Sequence, residues 1–422
     1  MAKDELESLR YMTSFRCIGP DCEDHCCKGW IINLDHADYA RVAALRDRSE
    51  TVAEQFSVAV IRDHQDKREK KFAHLNFRPE GTCYFETDSM CMIHRDFGET
   101  ALPKTCATYP RSARRVGEVF QLSGFLSCPE VARLCLLDPD SMDIVSAPWA
   151  LLPENIDLLA QLPQQKDHYE QHLMWVRSKV LGLLEARHRS IEESLYLVLY
   201  QSRKVESFFH RGVSNDPKAR LETAFARIED EVFQAKILDR NTNETPEQAR
   251  ALIFLVLHAR DNHANRSRFK SFVNKVMVGY GLGEDPNLED PEVEHRLWQQ
   301  YQERKAGLVK RYPQRLALYL RNYTLNLWYQ EGLLGTQNLM EVVRRFILCF
   351  AVVKFLLFGH PSLPQLLAGE ADEQWLDRIA VEAIQTFSKN MSHNSEMLDF
   401  LSEVMKDNGL VDVSSLAVLL NI

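Results

Sequence analysis

Nine of the ten cysteines in this 422-residue chain fall between Cys17 and Cys135. Thiols this dense must pair as disulfides, bind metal or pack as small apolar groups. The opening MAKDELESLRYMTSF has no basic stretch followed by an apolar run. A secretory signal is therefore not expected, and the chain reads as cytoplasmic. In reducing cytosol, clustered thiols favour metal ligands or redox groups over disulfides.

Eight cysteines are candidate metal ligands: Cys17, Cys22, Cys26, Cys27, Cys83, Cys91, Cys106 and Cys128. Cys135 lies in the apolar stretch VARLCLL and Cys349 in FILCFAVVKFLLF, and both read as core residues. The spacing is C-x4-C-x3-C-C, then C-x7-C, then two separate cysteines. No C-x2-C occurs, so zinc-ribbon and thioredoxin templates lose their key element. A radical S-adenosylmethionine signature would start at Cys22 and Cys26, but its third position is Gly29. Thiolates in loops suit an iron–sulfur cluster, [4Fe-4S] first, with structural zinc as the alternative. Eight thiols exceed one four-ligand site, so either two centres exist or some thiols are structural. His25 and His94 stand beside ligand candidates and could substitute.

The net charge of −9 makes nucleic acid or an anionic membrane a poor partner. The most apolar stretch, Phe346–Phe358, is too short to span a bilayer and carries Lys354, so it reads as a buried helix rather than a membrane insertion.

The chain changes character near residue 135. Before it, Gly, Pro, Cys and aromatic residues break any regular period, as in CIGPDCEDHCCKGW. A hairpin is expected over Arg115–Leu126 with Gly117 near its turn, and a short helix over His36–Leu45 behind an Asp35 cap. Beyond residue 150 the pattern is helical. Ser190-Ile-Glu-Glu193 is a capping box, and Thr245-Pro246-Glu247-Gln248 is a second helix start. Further helices are expected at about 293–311, 314–332, 336–358, 373–390 and 394–406, with a stop at Gly409. The basic run Arg311–Arg321 reads as a solvated helix face. Gly279-Tyr-Gly-Leu-Gly283 has the look of a nucleotide-binding loop, but it follows a helical rather than a strand pattern. The fold class is mainly α: an irregular cysteine-rich metal-cluster domain over 1–140, then a helical region over 141–422.

The motifs also carry a resemblance. Phe15-Arg-Cys17, Cys22, Cys26-Cys27 and Gly29-Trp30 resemble the start of the cysteine-rich zinc- or iron-chelating (CxxCxxCC-type) family. Cys83-Tyr-Phe, Cys91-Met-Ile-His94 and Leu102-Pro-Lys-Thr-Cys106-Ala-Thr-Tyr109-Pro110-Arg111 match its later steps. Within it, the opening FRCxGxDCEDHCCxGW, Ser127-Cys128-Pro129-Glu130 and Arg321-Asn322-Tyr323 are similar to the flagellin lysine-N-methylases. The likeness is specific over roughly 12–137. The gaps before the double cysteine are longer here than in smaller family members. The resemblance implies a protein-lysine N-methyltransferase acting on flagellin, with S-adenosylmethionine as donor, an iron–sulfur cluster needed for activity and the helical region over 141–422 binding substrate and donor. The alternatives are a metal-binding scaffold or chaperone for a helical partner, or a cluster-based redox protein. Methyl transfer needs a proton acceptor for the lysine ammonium. Tyr109 and Tyr323 are the candidate catalytic residues, with Tyr84 and His393 weaker; no donor-binding residue is assigned.

Overall fold

The computed structural model describes residues 5–63, 71–116, 119–154, 156, 170–210, 217–239, 256–257, 260–261, 267–284, 286–287, 290–333, 338–392, 403, 406 and 412–421. The expected helix start at Thr245, the turn at Gly117, His393 and the stop at Gly409 lie outside these residues. Most of the expected 394–406 helix does too. The chain divides into two compact units: Met1–Leu134 with Asp143–Gln161, and Cys135–Met142 with Leu162–Ile422.

The first unit is more regular than the sequence suggests. Its strands are β1 (Glu5–Leu9), β2 (Asn33–Leu34), β3 (Val60–Arg62), β4 (Ala73–Leu75), β5 (Glu86–Thr87), β6 (Met90–Cys91), β7 (Arg111–Val116), β8 (Val119–Gly124) and β9 (Ile144–Pro148). They form a four-stranded sheet in the order β7-β8-β1-β9, a three-stranded sheet β2-β4-β3 and the hairpin β5-β6. The hairpin expected near residue 115 is β7-β8, with Arg111 opposite Gly124. β1 then adds parallel to β8, Glu7 opposite Gln121, and β9 closes antiparallel on β1. Local patterning does not reveal such pairings, because the partners lie far apart in sequence. Asp35 caps the helix His36–Ala44 by accepting from the Asp38 amide, as expected. Leu34, Val42, Val52, Leu75, Phe85 and Ile93 lie in one buried core beneath the cysteine loops.

The second unit is helical. Ser190 and Glu193 form the expected reciprocal cap, at 2.8 and 3.1 Å, on the helix Ile191–His210. Asp290, Asn338 and Asp372 cap the helices Pro291–Arg311, Leu339–Phe358 and Glu373–Phe387, and Pro313–Glu331 follows Pro291–Arg311 directly. The helix Leu339–Phe358 buries nearly every side chain, because helices contact it on several sides. Burying each Leu or Phe there contributes about 1.5–3 kcal/mol. Lys354 is buried on it, donating to the Leu420 carbonyl (2.9 Å) and to Glu192 (3.4 Å). Among the described residues no helix is long and apolar enough to cross a membrane.

Arginines close several helix ends in this unit. Arg177 donates to the carbonyls of Tyr329 and Gly332, and Arg321 to those of Leu184, Ala186 and Arg189. Arg304 donates to those of Phe358 and Gly279. Cations at helix C-termini satisfy orphan carbonyls and complement the dipole. Arg321 is thus half-buried and bonded, not part of a solvated face. Its neighbour Asn322 donates to the Cys135 and Asp138 carbonyls and to the Ser141 hydroxyl, at 2.9–3.1 Å.

The glycine-rich segment is a packing element rather than a cofactor loop. The helix Ser267–Gly279 ends at it, so the strand-then-helix context of a nucleotide loop is missing. A Cβ on Gly279 would come within 2.0 Å of the Gly359 carbonyl, and one on Gly359 within 2.4 Å of Val276 and Tyr280. Gly359→Ala is expected to cost about 1–3 kcal/mol by overpacking, read as a lower urea midpoint with unchanged m. An unchanged midpoint would contradict this close approach.

Candidate metal centre

A cavity of about 350 Å³ opens in the first unit, and all eight candidate ligands line it: Cys17, Cys22, Cys26, Cys27, Cys83, Cys91, Cys106 and Cys128. Cys135 and Cys349 do not; both are buried in the second unit, with Cys135 donating weakly to the Asn322 carbonyl. No disulfide joins any of the ten cysteines.

Separate local structures deliver the thiols. A single 3-10 turn at Gly19–Asp21 ends on Cys22, whose amide donates to the Gly19 carbonyl at 3.1 Å. The Cys26 carbonyl accepts from the Trp30 indole at 2.6 Å, and the Cys27 carbonyl from the Cys83 amide at 2.9 Å. Cys91 ends β6, aimed by a turn in which Asp88 and Ser89 both take positive φ, 53° and 63°. A two-residue hairpin of that hand needs such angles. Cys106 sits in the short helix Lys104–Thr108, which is pinned when Lys104 donates from its amide to Asp38 and from its ammonium to Asp35. Cys128 precedes Pro129 at the start of the helix Pro129–Leu136, a proline position that loses no hydrogen bond.

The guanidinium of Arg78 braces the loop from Cys83 to Glu86, donating to the carbonyls of Cys83, Tyr84 and Glu86 at 3.1–3.3 Å. Arg78→Ala is expected to lower stability by about 1–3 kcal/mol, since these acceptors lose a charged donor. Thermal unfolding checks it; a wild-type midpoint would rule the brace out.

The cavity thiols are held mostly in their neutral form. Burial pushes the Cys83 and Cys128 thiols up to about 12 and Cys106 well above its ordinary value. Cys17 and Cys22 are raised as well, mainly by burial. Cys27 is raised because it donates hydrogen bonds to Cys26 and Cys91. Cys91 is lowered, to about 7, chiefly by that bond from Cys27 and further by the amides of His94 and Ile93. Neighbouring thiols that resist ionising in an apolar cavity become good ligands once a metal cation offsets their charge. Among the described residues no three such side chains already stand together as a formed metal site. The donor set nevertheless fits a thiophilic metal, because every candidate thiol faces the same cavity.

Other lining residues include Asp24, His25, His94, Glu99, Arg111, Phe15, Phe85, Trp30 and Tyr109. Trp30 and Tyr109 meet edge to face, 5.0 Å between centroids. Arg111 pairs with Glu99 at 2.7 Å and lies 5.6 Å from the Phe15 ring. Asp24 and Glu99 are acids that the spacing argument left out: Asp24 is a non-cysteine inside the motif, and Glu99 lies in a loop with no pattern of its own. The Tyr109 hydroxyl sits 3.1 Å from the Ser127 hydroxyl, and burial raises it well above its ordinary value, so it holds its proton. Tyr323 lies in the second unit, buried beside Cys349 and also raised. Tyr84 is half-buried beside the Arg78 guanidinium, 5.3 Å from its ring centre.

Comparison with known proteins bears on the second unit first. A profile described as the FliB lysine N-methylase C-terminal domain matches residues 177–419. The lysine-N-methylase of Salmonella typhimurium is 25% identical over 253 residues, 60% of this chain and 59% of that protein. The one from Salmonella choleraesuis matches to the same extent. The flagellar biosynthetic protein FliU of Salmonella muenchen is 33% identical over 134 residues, 31% of this chain and 77% of that protein. The chain thus spans about three-fifths of the length of the lysine-N-methylases it matches. No solved structure matches it. With more than half of its residues inside the matched region, the chain belongs to the FliB lysine N-methylase C-terminal domain family.

Proposed function

We propose that this protein methylates lysine ε-amines of flagellin in the cytoplasm, using S-adenosylmethionine, and depends on an iron–sulfur cluster held in the thiol-lined cavity. The family match over 177–419, with its relatives named lysine-N-methylase, carries the reading. The cysteine-rich unit is a chelating module of the zinc- or iron-binding kind, and [4Fe-4S] is preferred to zinc. When bound, such a cluster supplies thiolate-held iron with Lewis-acid character.

The chain's own residues supply what the transfer needs besides. Cys26 and its neighbours would hold the metal. The faces of Trp30, Phe85 and Tyr109 offer electron-rich walls, which favour a cationic sulfonium. Asp24 and Glu99 line the same cavity and are acids able to take a proton from an ammonium. Alignment of amine and methyl would lower the barrier by several kcal/mol, roughly 7 in favourable cases.

The test is a preparation made without oxygen, analysed for iron and sulfide, then mixed with S-adenosylmethionine and flagellin. Flagellin is expected to gain mass in methyl increments on lysine. Iron without methylation would sink the enzymatic reading and favour a redox or scaffold role. Zinc without iron would sink the cluster.

A further inference from the structure

The eight cavity thiols are not spread evenly. Cys27 and Cys83 are buried in the core of the first unit, and Cys26, Cys91 and Cys106 pack against that same core; Cys17, Cys22 and Cys128 are outside it. Each group is tied together by its own bonds. On the core side, the Cys83 amide bonds the Cys27 carbonyl at 2.9 Å, and the Cys27 thiol bonds Cys91 and also Cys26, at the boundary between the groups. Cys83 and Cys91 also flank one hairpin, β5-β6. On the other side, Arg133, from the helix that Cys128 starts, reaches Glu23, next to Cys22, at 2.5 Å. Cys26 stands where the groups meet. It is an electrostatic neighbour of Cys17, Cys22 and Cys128 and equally of Cys27, Cys83 and Cys106.

We propose that the cavity binds two thiolate-held metal centres: an inner one on Cys27, Cys83, Cys91 and Cys106, and an outer one on Cys17, Cys22, Cys26 and Cys128. This rests on the reading that the thiols bind metal, and it does not depend on methyl transfer. It explains the adjacent pair Cys26-Cys27. The two thiols touch each other, Cys27 donating to Cys26, and from that contact Cys27 reaches Cys91 on one side while Cys26 neighbours Cys17, Cys22 and Cys128 on the other, so the doublet stands where two centres would meet. It also accounts for the number of thiols, since two four-ligand sites use all eight.

The experiment compares full-length protein with C83S/C106S and C17S/C128S, each reconstituted with iron and sulfide without oxygen. Iron, sulfide and zinc per chain are measured, with electron paramagnetic resonance of the reduced protein. Each double variant should hold about half the wild-type metal and keep the signal that the other loses. If both variants lose all metal, or one loses all and the other none, the cavity holds one centre and the assignment fails. Binding of no metal also overturns it. Circular dichroism checks folding; where a double variant fails to fold, the milder C91S and C22S replace it under the same criteria. Methylation is assayed separately. Half-loaded variants with an inactive wild type would keep the two centres and sink the enzymatic reading.

Discussion

Replacing Cys26 by serine is expected, under the proposed function, to remove methyl transfer to flagellin almost entirely. A fall of about 100-fold or more is expected, since even the outer partners of metal ligands are worth 10–100-fold. The reason is placement: Cys26 neighbours thiols on both sides of the cavity, and Trp30 fixes its carbonyl from behind. Cys349→Ala is the matching control. It removes a sulfur from the buried helix Leu339–Phe358 and leaves the cavity alone, so it should lower the melting temperature while metal content and rate persist. The measurement is the rate of methyl incorporation per chain beside iron per chain. A Cys26→Ser protein with wild-type rate would remove the cavity from the chemistry.

The second large effect is on stability. Arg304→Met should destabilise the protein by about 2–6 kcal/mol, because two buried carbonyls lose their donor at about 1–3 kcal/mol each. Arg304 is 6% exposed, lies over the Tyr280 ring and closes the helices that end at Gly279 and Phe358. Lysine should restore little, since one compact ammonium does not span two helix ends as a planar fork does. Urea denaturation of the three proteins decides this; near-equal midpoints for arginine and methionine would mean that water replaces the donor.

Which thiols gather round the cavity could be read from the sequence, because a run of cysteines among loop residues differs from a cysteine in an apolar helix. The eight thiols that line the cavity are the eight singled out by spacing, and Cys135 and Cys349 fall outside it for the expected reason, their apolar surroundings. Helix starts at Asp35 and Ser190 were legible since a cap acts across three residues. What stayed hidden acts across long separations. The parallel pairing of β1 with β8 joins residues over a hundred positions apart, and nothing local marks Glu5–Leu9 as an inner strand. The same holds for Arg321, whose acceptors lie at Leu184, Ala186 and Arg189. Its run of basic residues looked like a wet surface, while its real task is to close a helix far upstream. The helical pattern read ahead of Gly279 is a helix that ends there, but the close partner that requires this glycine, Gly359, was hidden for the same reason of long separation.

The chain order of the two units has a consequence for protein production. The first unit is interrupted: residues Cys135–Met142 belong to the second, and the chain returns at Asp143 to supply β9. A fragment ending at Leu134 would lack the strand that covers β1 and leave an open, sticky edge. A fragment beginning at Leu162 would strip Asn322 of all three of its acceptors. On the ribosome, the sheet can close as soon as Pro148 has emerged, whereas the segment around Cys135 must wait for Asn322, made far later. No single cut in the gene therefore yields two self-sufficient halves, and separate expression calls for a graft that rejoins Leu134 to Asp143.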